Sequence, residues 1–469
     1  MSLPLHALSL AEVSDLIRRR AVSPIDVTRD VLDRIAAVEP RLNAFITVMS
    51  DEALAAARHA EDEIGAGRWR GPMHGVPVSV KDIFDVAGVR TTAASRVLAD
   101  VEPSSEDAAV VERLRTAGAV LIGKTNLHEF AYGTTSQTSH FGPVRNPWDV
   151  SRIPGGSSGG SGAAVAAGMG FASIGTDTGG SIRIPAACCG VVGLKPTFGR
   201  VSRYGLLPLA GSLDHAGPLT RTVEDAALVL ASIAGHDPRD PASADVPVSP
   251  FAEGIDDGVR GLRLGELGAP LADADAEVAA AVQVAVQGLA AAGAVVHSLE
   301  LELLPAVRGA VALVLAAEAT ATLQDRLREH ADWFGEDVRE RLVRGQQVAA
   351  VDYVRAFELR RTFRREVAQA FAHVDVLVSP MLPVGAPPIG AATVPINDGA
   401  IEVLRATTAN TREWNFLGLP AISVPCGFTS AGLPIGLQIV GPMFAESTVL
   451  RAARAHERRT GGRGALPPR

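Results

Sequence analysis

Three stretches of the chain hold residues whose types and spacing could do chemistry. One is Val80, Lys81 and Asp82, at the end of a valine-rich run; the second is residues 155–162 (GGSSGGSG); the third is residues 175–186 (GTDTGGSIRIPA). In the third, Thr178, Gly179, Gly180 and Ser181 set four consecutive N–H groups beside a serine hydroxyl. Two glycines let such a backbone bend until several N–H groups converge on one point, as in an anion-binding nest. Next to a nucleophile that nest is an oxyanion hole, where losing one donor costs about 3–4 kcal/mol. Taken alone, the piece reads equally well as a tight turn in which Ser181 caps the next segment.

A serine nucleophile needs a base. Lysine serves only when uncharged, and at a pKa of about 10.4 roughly one in 2,500 is neutral at pH 7. Burial lowers that value. Lys81 follows residues 75–80 (GVPVSV), which read as a buried strand. A paired surface lysine is the bland alternative. Residues 156–160 (GSSGG) also match the G-x-S-x-G nucleophile elbow, with Ser158 at its centre. An elbow needs an apolar strand before it, and residues 146–154 (NPWDVSRIP) are not one. The run also lacks the Gly-Lys-Ser/Thr ending of a phosphate loop. His128 and His215 invite a Ser–His–Asp reading, which the lysine and serines make unnecessary; His74 reads as structural. The histidines lack metal-ligand spacing, so no metal or cofactor is called for.

Those pieces must be positioned by a large fold. The chain has 469 residues, 47% of them hydrophobic, 20% charged and 4% aromatic, a globular composition able to bury a core. A net charge of −8 argues weakly against nucleic-acid binding. Cys188, Cys189 and Cys426 form no disulfide framework or zinc pattern, and the vicinal pair reads as small apolar packing. No signal-peptide pattern begins the chain. The apolar run 306–323 is broken by Arg308 and Glu318, so no membrane span is expected and a cytoplasmic location is the default.

Residues 9–12 (SLAE) form a capping box before a helix ending near Arg20. Ser23 and Pro24 open a second helix, expected to stop before Pro40; residues 51–64 look like a third. From Met73 the rhythm becomes α/β. Strands are expected at 75–80, 119–122 and 171–176. A helix is expected from residues 104–107 (SSED) to before Gly118, another after the Gly/Ser turn to Ala167, and one at 223–234 behind a Thr222 cap. Residues 235–260 read as a surface connection. The segment 260–375 reads as mostly helical with one strand near 294–299. Strands follow at 374–378, 421–425 and 436–440, the last two joined by a turn at Ala431 and Gly432. The expectation is one α/β domain over 1–469: a helical layer at 1–65, a catalytic core at 66–235, a helical cover at 236–415, and closing core strands and a helix at 416–469.

Residues 154–169 (PGGSSGGSGAAVAAGM) and 175–197 (GTDTGGSIRIPAACCGVVGLKPT) together resemble the amidase signature family. Ser157 and Ser181 stand 24 residues apart, as that family's paired serines do. Residues 74–82 (HGVPVSVKD), 142–148 (GPVRNPW) and 418–427 (GLPAISVPCG) extend the likeness, which covers about 65–455. The resemblance implies a large central mixed β-sheet surrounded by helices. It implies Ser181 as nucleophile, Ser157 as proton relay behind a cis Gly156–Ser157 peptide, and Lys81 as base. It also implies an oxyanion hole from Thr178, Gly179, Gly180 and Ser181, braced by Ser158, Asp177 and Arg183. Ala131, Tyr132 and Gly133 occupy positions that border the acyl pocket in relatives. Tyr132, where many relatives have methionine, hints at an apolar or aryl substrate. Trp333, Phe334, Trp414 and Phe416 are further candidates for the lining, though such aromatics are more often core.

The function so implied is an amidohydrolase acting on small-molecule amides, aryl anilides or carbamates, without nucleic acid, with homodimerisation open. The main rival is the tRNA-dependent amidotransferase, whose amidase component residues 199–218 resemble. Against it, that component's tyrosine-rich stretch is here 344–357 (RGQQVAAVDYVRAF), with one tyrosine. A non-catalytic binding protein on the same fold is a third reading, and the presence of Lys81, Ser157 and Ser181 speaks against it.

Overall fold

A computed structural model describes residues 4–461 and 466–467. Eleven strands form one mixed sheet: β1 (Phe45–Val48), β2 (Pro77–Lys81), β3 (Val120–Thr125), β4 (Ala172–Asp177), β5 (Val192–Lys195), β6 (His215–Thr220), β7 (Arg263–Leu267), β8 (Val295–Leu299), β9 (Val376–Pro380), β12 (Ala421–Phe428) and β13 (Pro434–Val440). A separate two-stranded ribbon joins β10 (Thr393–Ile396) to β11 (Gly399–Glu402). The sheet order is β1-β3-β2-β4-β6-β5-β12-β13-β9-β7-β8. This is the expected large central mixed sheet with helices packed on it.

The sheet register gathers the site. Strands β2 and β4 run parallel, with Val80 beside Ile174. Their carboxyl ends therefore lie on one sheet edge, which is where open α/β sheets place ligands. Lys81 closes β2, while Thr176 and Asp177 close β4. Every residue of both strands is buried, so a lysine placed there has no route to water.

The Gly/Ser run becomes the helix Gly159–Ala166, buried along its whole length. Its glycines let main chain meet main chain. A methyl at Gly160 would stand 2.3 Å from the Asn126 carbonyl oxygen and 2.4 Å from that of Ala44.

Several boundaries differ from the sequence reading. The second helix runs Pro24–Leu42 with Pro40 inside its last turn, closed by left-handed Asn43. The SSED segment does not start a helix. Ser104 donates to Asp85 and Asp107 accepts from the Ala87 N–H, so both are engaged outside a helix, which begins at Ala109. The expected helical cover supplies β7, β8 and β9 to the main sheet as well as helices. Its longest helix, Leu304–His330, has the length and apolarity to cross a membrane. Glu318 on that helix binds Ser212 and Tyr353, and Arg308 binds Asn410, which ties it to the protein core.

Candidate active site

Lys81 is fully buried, with its Nζ 2.7 Å from Ser157 Oγ and 2.8 Å from Thr176 Oγ1. Burial drives its pKa down to about 7, against the pull of the Asp177 and Asp214 carboxylates. Near neutrality about half of such an amine is uncharged. A neutral amine can accept the Ser157 proton while donating to Thr176. Thr176 escaped the sequence reading because only the β2–β4 register brings it opposite Lys81.

Ser157 follows a cis Gly156–Ser157 peptide, as the resemblance implied. Ser181 lies in the next loop, 6% exposed. The Ser158 N–H donates to the Ser181 carbonyl at 3.2 Å, which stitches the two serine-bearing loops together. Lys81 and Ser157 thus meet directly, and Ser181 joins them through the main chain. Ser158 is no nucleophile here: it is fully buried, and its Oγ bridges the N–H and carbonyl of Thr176.

Asp177 shapes the Ser181 loop. It accepts from Gly180 N–H at 2.7 Å, Ile182 N–H at 3.2 Å, Arg183 Nε and Nη2 at 3.0 Å each, and Asn415 Nδ2 at 2.8 Å. Burial opposes its ionisation, but the Arg183 guanidinium outweighs burial and holds the carboxyl well below the usual range. Arg183 continues to Gln438 and Asn415, both at 2.7 Å. Asp177→Ala would strand a buried guanidinium and is expected to cost about 3–5 kcal/mol. A falling denaturant midpoint at unchanged slope would show this; an unchanged midpoint would contradict the bracing role.

The four N–H groups assigned to the anion nest divide in the structure. Asp177 takes that of Gly180, whose φ of +123° suits glycine. The N–H groups of Thr178, Gly179 and Ser181 meet no acceptor among the described residues. Thr178 is steadied by Asp214, which accepts its hydroxyl at 2.6 Å and the N–H groups of Leu209 and Ala210.

A cavity of about 220 Å³ opens over this loop. Thr178, Gly179 and Ser181 form one side, and Ala131, Tyr132 and Gly133 another. Leu209, Leu315 and Leu404 supply apolar wall, while Arg341, Arg344 and Arg412 supply charge. Trp333, Phe334, Trp414 and Phe416 do not line it. Phe334 stacks on Phe130, Trp333 on His330, and Trp414 donates to the Asn410 carbonyl. The arginines were missed because cavity-facing and surface arginines look alike in sequence.

The histidines are engaged elsewhere. His128 faces Asp337 at 3.1 Å, His215 Nδ1 lies 2.6 Å from the Leu213 carbonyl oxygen, and His74 contacts Glu63 at 3.2 Å. Burial raises the Cys188 and Cys426 thiols to about 12, which suits packing rather than chemistry.

The family model described as Amidase matches residues 26–450. The chain belongs to the amidase signature family. Among curated members of that family, the GatA-type component of glutamyl-tRNA(Gln) amidotransferase from Moorella thermoacetica is 42% identical over 483 residues, covering 97% of each chain. Among solved members, a chain from a vestigial protein complex tied to the origins of an s-triazine catabolic enzyme superposes with a TM-score of 0.94. It is 37% identical, covering 98% of this chain and all of that one. A bacterial aryl acylamidase superposes at 0.89 with 31% identity, covering 97% of each.

Proposed function

We propose that the chain is an amidohydrolase cleaving amide-like C–N bonds through an acyl-enzyme on Ser181. The observation that carries this reading is an amine poised to titrate near 7 and 2.7 Å from a serine hydroxyl, beside a glycine-rich loop bearing a second serine. No hydrogen bond joins the Ser157 and Ser181 hydroxyls in the resting geometry, and such bonds often tighten only when substrate enters.

In the proposed cycle Ser181 Oγ attacks the carbonyl carbon. Its proton passes to Ser157 Oγ, whose own proton passes to Lys81 Nζ. The N–H groups of Thr178, Gly179 and Ser181 receive the charge that develops on the carbonyl oxygen. Collapse breaks the C–N bond as Lys81 returns a proton through Ser157 to the departing nitrogen. Water, deprotonated along the same path, then attacks the ester and releases the carboxylate.

A fluorophosphonate probe tests the nucleophile: labelling of the wild-type chain at Ser181 is expected. Labelling elsewhere, or none, would refute the reading. A panel of primary amides, aryl anilides and carbamates tests the bond type. The likeness to an aryl acylamidase supports anilides, and Tyr132 on the cavity wall agrees with it; urethane hydrolysis belongs to the same panel.

The second reading, the amidase component of a tRNA-dependent amidotransferase, is favoured by the names of relatives 40–44% identical over nearly the whole chain. Glutamine hydrolysis that appears only with added partner proteins would establish it. Amide hydrolysis by the chain alone supports the first.

A further inference from the structure

Of the three arginines on the cavity wall, Arg412 stands apart. Arg341 donates to the Tyr132 carbonyl and to Asp337 at 2.8 Å, and Arg344 faces Glu340 at 3.6 Å. The partly buried Arg412 has no hydrogen-bond acceptor or ion-pair partner among the described residues, and its Nε is shut away from water as well. A desolvated, unpaired guanidinium is costly to hold. Burial lowers its pKa to about 10, and Arg341 adds to the fall, yet it stays charged near neutrality.

Its position is beside the proposed chemistry. A methyl at Gly179 would lie 3.2 Å from Arg412 Cγ and 3.6 Å from its Nε. The charge therefore sits against the loop whose N–H groups face the reacting carbonyl. None of the residues lining the cavity is acidic. An anion entering the cavity meets an unpaired cation, whereas an ammonium would meet arginines alone.

Resting on the amidohydrolase reading, we propose that Arg412 binds a carboxylate of the substrate, which makes that substrate a short monoanionic amide. The leucines and Tyr132 then enclose the link between carboxylate and amide, and Arg341 and Arg344 add to the attraction for an anion. Guanidinium matches a carboxylate with paired hydrogen bonds, which a neutral amide group of the same shape cannot reproduce.

The test is calorimetric binding to the intact Ser181→Ala chain, in which bound amides persist. Malonamate, succinamate and glutaramate are compared with malonamide, succinamide and glutaramide, their neutral isosteres, and with L-glutamine. The best monoanion is expected to bind about 10- to 100-fold tighter than its diamide. L-Glutamine, which adds an ammonium, is expected to bind at least about tenfold weaker than glutaramate. The preference should vanish in Arg412→Met and survive in part in Arg412→Lys, which keeps the charge. Equal binding of acid and diamide, binding of neither, tightest binding of L-glutamine, or an Arg412→Met variant that keeps the preference would each overturn the proposal. The wild-type labelling of Ser181 described above is independent of Arg412, so loss of the anion preference and loss of the nucleophile are read separately.

Discussion

Replacing Ser181 with alanine is expected to lower turnover by at least about 10⁴-fold while leaving stability within about 0.5 kcal/mol of wild type. The two halves of that expectation come from one observation. Ser181 borders the cavity, and its hydroxyl makes no hydrogen bond in the resting structure. Removing it therefore breaks no folded-state contact, while the acyl-enzyme loses the only atom on which it can form. Steady-state hydrolysis and a denaturation curve on the same sample check both halves. Residual activity near wild type would exclude Ser181 as nucleophile, and a large stability loss would mean the loop depends on that hydroxyl.

Replacing Lys81 should have the opposite signature in stability. In the folded chain its pKa is about 7, and in the unfolded chain it is near the ordinary lysine value of 10.5. Between those values the unfolded state binds a proton that the folded state does not, so the Lys81 contribution to stability rises with pH across that window. At neutrality the penalty of holding the amine in place is about 4 kcal/mol. Lys81→Met keeps the bulk and removes the penalty, so it should raise the denaturant midpoint by up to that order while activity collapses. Lys81→Ala should leave very little hydrolysis near neutrality, with partial recovery in alkali where hydroxide substitutes for the base. In the wild type, kcat/KM should climb through about 7 as the amine loses its proton, then level off. A profile flat across that range would contradict Lys81 as the base. A destabilised Lys81→Met would mean that the Ser157 and Thr176 contacts outweigh burial.

What the sequence made legible was the local chemistry and the elements with strong punctuation. The Ser9–Glu12 capping box, the Thr222 cap and the valine-rich strand before Lys81 appear in the structure with their side-chain contacts. The triad residues were legible through a motif resemblance; no single stretch was decisive. Hidden features were those set by register and long-range packing. Strand β6 reads HAGPLT, with a glycine and a proline that disguise it, yet it pairs along all six residues with β4. Thr176, Asp214 and Asn415 act on the site across gaps of 36 to 238 residues, which no local pattern reveals. The Asp177 carboxylate competes for the Gly180 N–H, so an N–H count from the TGGS spelling alone overstates the nest. The candidate aromatics went to the core because their neighbours there, Phe130, His330 and Asn410, are set by the fold and not by any local pattern.

The most direct test is the titration of the Lys81 side chain itself. With lysine Nζ labelled by ¹⁵N and the Lys81 signal assigned through its loss in Lys81→Met, its chemical shift should change with a midpoint near 7. An ammonium that persists unchanged past pH 10 would contradict the whole proton path.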